Sequence, residues 1–177
     1  MPARGVEMVK VLERSLYQED YYAWTKDQAA KLRALAAARV NSTLDLANLA
    51  EEVESLGRSD LNTVRSQVRR IIEHLLKLEY SPSELPRADW RYSIVQARDE
   101  VEDHITASMR PDIEAELAKL FGRGRRDAAL GLEKHGERDA ARALPATCPY
   151  GFDEIVSHDW YPLNRHGLCD PSDSAEA

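Results

Sequence analysis

The sequence has few of the residues that staple or interrupt a chain. Only two of its 177 residues are cysteine, Cys148 and Cys169, so no disulfide framework organises it, and their spacing lacks a Cys-x-x-Cys pair. Glycine and proline number eight each and are unevenly placed: between Val6 and Ser81 there is no proline, and Gly57 is the single glycine. No apolar run approaches the ~20 residues of a membrane span. No run of β-branched or aromatic residues alternates with period two, which removes the usual sign of a strand. Met1 to Lys10 lacks the apolar centre and small-residue cleavage site of a signal peptide, so a soluble, cytoplasmic protein is expected. Positive charge is also in short supply. With 24 basic residues against 31 acidic the formal charge is −7, which argues against a chain whose main task is coating nucleic acid but leaves room for a local basic patch.

What remains is helix-forming. The chain is 43% hydrophobic and 31% charged, enough to bury a core, and its first half is rich in Ala, Leu, Glu, Arg and Lys. Apolar spacing predicts a helix from Tyr17 to Arg39, with Tyr17, Tyr21, Trp24, Leu32 and Leu35 on one face. A second carries Leu46, Leu49, Val53 and Leu56 and stops at Gly57. A third, from about Asp60 to Tyr80, has the clearest stripe: Leu61, Val64, Val68, Ile71, Leu75 and Leu78. A fourth begins near Ala88 with Trp90, Ile94, Val101 and Ile105 inward, and Pro111 opens a fifth that runs to Lys134. That helix turns to small residues, Gly124, Ala128 and Gly131, which either admit a close neighbour or mark a fraying half. From His135 the texture is irregular, with a short helical turn expected at Phe152 to Val156. The expectation is an all-α, up-down bundle of four to five main helices with an irregular C-terminal segment: a lead segment over 1–15, one domain over 16–162, and a disordered tail over 163–177.

No familiar catalytic set appears. His74 and His104 lack the Glu-x-x-His spacing of a di-metal bundle, no His-x-x-x-His pair exists, and no phosphate-cradling or nucleophile motif is present. Neither a metal nor a cofactor is expected. Two subtler patterns remain. Arg98 falls within the apolar stripe of the fourth helix and calls for an acid, since a buried charge without its mate costs about 3–5 kcal/mol. Asp45 and Glu52 edge the second helix and His74 edges the third, so a polar cluster of Asp45, Glu52, His74 and Arg98 is possible, either as a register-fixing salt bridge or as a ligand site. Arg58, Arg65 and Arg69 occupy one wedge of about 40° at 100° per residue, a face that could meet phosphates but is more often solvated.

The order of several segments resembles bacterial domain-of-unknown-function family 29. These are Leu16 to Trp24, Leu49 to Ser59, His74 to Lys77, Trp90 to Arg98, Ser108 to Pro111, Cys148 to Tyr150, and Asp159 to Pro162. The resemblance covers about Leu16 to Pro162 and implies an all-helical domain with no established activity. Its motifs include Glu52, His74 and Arg98. With a bundle pattern and no catalytic set, the leading expectation is a non-enzymatic module that self-associates or binds another protein. A ligand-binding protein or enzyme using Glu52, His74 and Arg98 is the alternative, and nucleic-acid association through Arg58, Arg65 and Arg69 the second alternative. No membrane partner is expected.

Overall fold

Long stretches without proline fold into long helices, and the chain is all-α. A computed structural model describes residues 16–168; the lead segment over 1–15 and the tail over 169–177, with Cys169, lie outside the described residues. Among the described residues these helices follow in order after the short helical turn at 16–19: α1 (Tyr21–Ala37), α2 (Leu46–Tyr80), α3 (Arg87–His104), α4 (Arg110–Ala115), α5 (Leu117–Lys134), α6 (Arg138–Ala143) and α7 (Phe152–Val156). No strand occurs among the described residues, and none of their helices is long and apolar enough to cross a membrane. Where the sequence pattern suggests one domain over 16–162, the described chain falls into two compact units. The first takes the residues up to Thr63 with His104–Asp112, and the second takes Val64–Asp103 with the residues from Ile113 onward.

Three helix boundaries differ from those read in the sequence. Residues 16–19 are helical, but Asp20 breaks the helix and caps α1, its carboxylate accepting from the Ala23 N–H at 2.9 Å. Gly57 does not end a helix: α2 runs unbroken for 35 residues. A Cβ at Gly57 would sit 2.2 Å from Thr25 Oγ1, so the glycine is kept for close approach rather than for chain reversal. The stretch from Pro111 to Lys134 is divided at Glu116 into α4 and α5.

In the first unit α1 and α2 pair antiparallel, as two contacts show. Gly57 meets Thr25, while further along α1 Arg33 is ion-paired to Glu54 and reaches Glu51 at 3.5 Å. The buried residues of α1 are Tyr22, Thr25 and Ala29, and α2 answers with Ala50, Gly57 and Leu61. Small residues make this contact. The larger apolar residues expected inward lie off it, and Leu35, Leu49 and Leu56 remain 46%, 39% and 51% exposed.

In the second unit the stripe of α2 is core as expected, with Val64, Val68, Ile71, Leu75 and Leu78 all fully buried. Against it α5 sets the small-residue face whose meaning the pattern left open. A Cβ at Gly124 would lie 2.8 Å from the Arg69 carbonyl oxygen and 3.0 Å from Ile72, and Ala128 is fully buried. Close approach, not fraying, explains those residues. From α3, Ile94, Ala97 and Val101 join the same core, and Phe152 and Ile155 of α7 are buried too.

Two glycines two positions apart should therefore respond oppositely. Gly124→Ala is expected to lower stability to urea by about 1–2 kcal/mol, because overpacking against a backbone oxygen outweighs the helix-propensity gain of about 1 kcal/mol. At Gly122 nothing lies within 4 Å of an added Cβ, so Gly122→Ala should stabilise by up to about 1 kcal/mol.

Candidate functional site

Arg98 is the largest fully buried side chain, at 1% exposure, but its partners are not acids. Nε donates to the Ile155 carbonyl at 2.9 Å, and Nη2 donates to the carbonyls of Trp160 at 3.0 Å and Glu154 at 3.2 Å. The guanidinium also lies 4.8 Å from the centre of the Tyr161 ring, where Arg91 packs at 4.0 Å. Burial pulls Arg98 below the ordinary arginine pKa, with Tyr161 opposing. The expectation of a carboxylate mate is thus corrected: the last turn of the short helix α7 and the chain just after it have carbonyls to spare, and they take the charge.

His74 lies on α2, in the second unit with Arg98. Burial, the largest influence, lowers its pKa to about 4; Lys77 and Arg70 push the same way and Glu73 opposes. The imidazole Nδ1 is enclosed with no hydrogen-bond partner among the described residues. One turn on, Lys77 is nearly buried and donates to Glu73 Oε1 at 2.6 Å.

Asp45 and Glu52 belong to the first unit, and both are exposed. Asp45 precedes α2 and accepts from the Asn48 N–H at 3.1 Å, an N-cap rather than a ligand group. The basic wedge is neutralised residue by residue. Arg58 bonds Glu51 at 2.5 Å, Arg65 is ion-paired to Glu116, and Arg69 meets Asp127 at 2.6 Å. Phosphates would have to displace these acids, which removes much of the electrostatic gain.

Other polar ties escaped the pattern. In the first unit Asp20 accepts from Ser108 Oγ at 2.6 Å and from the Ser108 N–H at 2.9 Å, and Tyr22 donates to Asp112 at 3.0 Å. Burial pushes Asp20 up, but the hydrogen bonds from Ser108 and Ala23 outweigh it and hold the carboxyl below its usual value. An acid just ahead of an apolar-periodic run is an N-cap cue that could have shown this break. In the second unit Tyr150 donates to Glu79 at 2.6 Å, and burial raises the phenol so that it stays a donor. Asn164 Nδ2 donates to the carbonyls of Leu78 at 2.7 Å and Ser81 at 2.9 Å, closing the end of α2. The expected tail from 163 is therefore corrected over 163–168: orphan helix carbonyls hold Asn164 and the Arg165 N–H in place. Cys148 is half-buried and its thiol is pushed up by burial, the reverse of what an activated nucleophile needs. Among the described residues no group of three or more His, Cys, Asp or Glu is placed to hold a metal ion.

Two outcomes test this geometry. Arg98→Met should cost about 2–4 kcal/mol in urea unfolding and speed amide exchange over 152–168, because three carbonyls lose their donor. For His74 the folded pKa lies below the unfolded value of 6.5, so its contribution is complete above about pH 6.5 and is lost as the pH falls toward 4. The loss should be on the order of 3 kcal/mol. Unfolding curves of His74→Leu should lack that slope; identical pH profiles for variant and wild type would refute the assignment.

The motif segments noted in the sequence thus do recognisable structural work within each unit: Asp20 with Ser108 in the first, and Arg98 with Trp160 and Tyr161 in the second. A similar helical fold has been seen before. The crystal structure of an alpha-helical protein of unknown function from Rhodospirillum rubrum matches with a TM-score of 0.73 and 29% sequence identity, over 81% of this chain and 90% of that one. No curated protein matches the sequence. Residues 16–161 match the family described as domain of unknown function DUF29, and the chain belongs to that family.

Proposed function

We propose that this chain is a non-enzymatic interaction module whose first unit receives a basic amphipathic helix of another protein. One observation carries the reading: α1 and α2 pack through Thr25, Ala29, Ala50 and Gly57 and leave Leu35, Leu49 and Leu56 out. Single exposed leucines are ordinary. Here they are collected. Arg33 faces Glu51 in the antiparallel pair, so Leu35 is level with Leu49, and Leu56 lies two turns along α2 from Leu49. On both helices the large apolar residues are rotated in the same sense off the contact, which in an antiparallel pair puts them on one side. Tyr21 and Trp24 extend that side, their rings stacked at 5.5 Å.

Charge favours a basic partner over a second copy. Glu52 borders Leu49 and Leu56, and among the described residues it makes no ion pair; Asp45 lies just ahead on the same edge. A two-fold copy would bring this acidic edge toward its own like, whereas a helix with leucines flanked by lysines matches both apolar and charged parts.

A fluorescent model helix of leucine and lysine at helical spacing provides the probe. Its anisotropy should report binding to the wild-type chain, weakened at least about tenfold by Leu49→Asp with Leu56→Asp and to a lesser degree by Glu52→Lys. Circular dichroism checks that the variants stay folded. Equal binding by all variants would sink the reading. So would a wild-type dimer in sedimentation that the double variant dissolves, an outcome that assigns the face to a second copy.

A further inference from the structure

The second unit contains a feature that neither the motifs nor the apolar face of the first unit explains. A cavity of about 690 Å³, in the size range of small-molecule sites, opens between the segment from Ser83 to Trp90 and the end of α5. Its charge is one-sided. Three carboxylates line it, Glu84, Asp89 and Glu137, against one lysine, Lys77. The Lys77 charge is already taken by Glu73, which is not part of the lining.

Glu137 is the least satisfied of the acids. Its Oε1 accepts from Ser83 Oγ at 2.7 Å, but its Oε2 is enclosed and has no hydrogen-bond donor among the described residues. A carboxylate held in this way leaves negative potential in the adjoining space, and removal from water strengthens it. Glu84 and Asp89, both exposed, add to it at the rim. Apolar groups stand among the acids, beside Ser83 and His135: Trp90 offers a half-buried ring, and Leu85 stands 96% exposed with nothing packed on it.

We propose that this cavity binds a small aliphatic di- or polyamine. An ammonium near Glu137 would offset the uncompensated carboxylate, and a second would meet Glu84 and Asp89 at the rim. The methylene spacers would cover Leu85 and the Trp90 face, which also favours a cation. Gly131 belongs to the same construction. A Cβ there would lie 2.7 Å from Lys77 Nζ, so the glycine makes room for the lysine beside the cavity wall and lets Glu73 hold it. Inorganic cations satisfy the acids but not the apolar groups, and dicarboxylates meet the wrong sign of charge.

Calorimetric titration of the full chain with spermidine, with glutarate and with magnesium chloride tests this. Spermidine should bind, glutarate should not, and magnesium at equal concentration should not displace spermidine. Glu137→Gln, which keeps an acceptor for Ser83, and Asp89→Asn should each weaken spermidine by about tenfold. Trp90→Leu should weaken it by severalfold, and thermal melts check that each variant folds. No heat with spermidine, tighter binding of glutarate, competition by magnesium, or variants that melt normally and bind as the wild type would each overturn the proposal.

Discussion

A guanidinium removed from water has to find oxygen, and in the second unit Arg98 finds it in three carbonyls of the chain that follows α6. The consequences reach well beyond one side chain. Carbonyls of Glu154, Ile155 and Trp160 belong to a segment with only one short helix, which has little regular hydrogen bonding of its own. Gathered onto one planar fork, they hold α7 so that Phe152 and Ile155 enter the core. Trp160 then packs edge-on to Tyr150, whose hydroxyl reaches Glu79 on α2. The chain continues to Asn164, which takes up the carbonyls that α2 leaves open at its end. An irregular C-terminal segment becomes ordered because a buried cation and an uncapped helix both need what its backbone and side chains supply.

The helices themselves are organised by small residues. Gly57 against Thr25 and Gly124 against Arg69 and Ile72 are places where no side chain fits. Close backbone approach gains dispersion contacts that offset the low helix propensity of glycine. In the first unit this arrangement has a second effect: once alanine, threonine and glycine occupy the contact, the leucines beside them have no place in it. The exposed side of the α1–α2 pair follows from how the pair packs, and the proposed docking role rests on that packing.

Much of the fold was legible in the residues. The helices in the described part of the proline-free first half and the start of α3 near Ala88 follow from propensity, and the α2 stripe from Leu61 to Leu78 follows from period and is buried. The break at Asp20 was hidden because apolar spacing runs through it; Ser108, far along the chain, supplies the bonds that stabilise the cap. Gly57 suggests a helix end in the sequence because a glycine at a helix end and a glycine at a helix contact look alike there. The polar cluster was less legible still. Helical spacing shows that Arg98 faces inward, but not that carbonyls rather than Glu52 or Asp45 will receive it. The wedge of Arg58, Arg65 and Arg69 shows on a helical wheel, whereas Glu116 and Asp127, which neutralise two of its members, come from α5 and the residue just before it.

Residue pattern alone therefore establishes an all-α chain, its main helices, its family and the burial of one arginine. These depend on local propensity and on periodicity, which are written along the sequence. Partners are another matter. Which oxygens Arg98 meets, which face of α1 and α2 is left open, and how Glu137 comes to line a cavity with one oxygen unsatisfied all depend on segments distant in sequence meeting in space. Hydrogen bonding and close packing act between neighbours in three dimensions, so only the folded chain decides them.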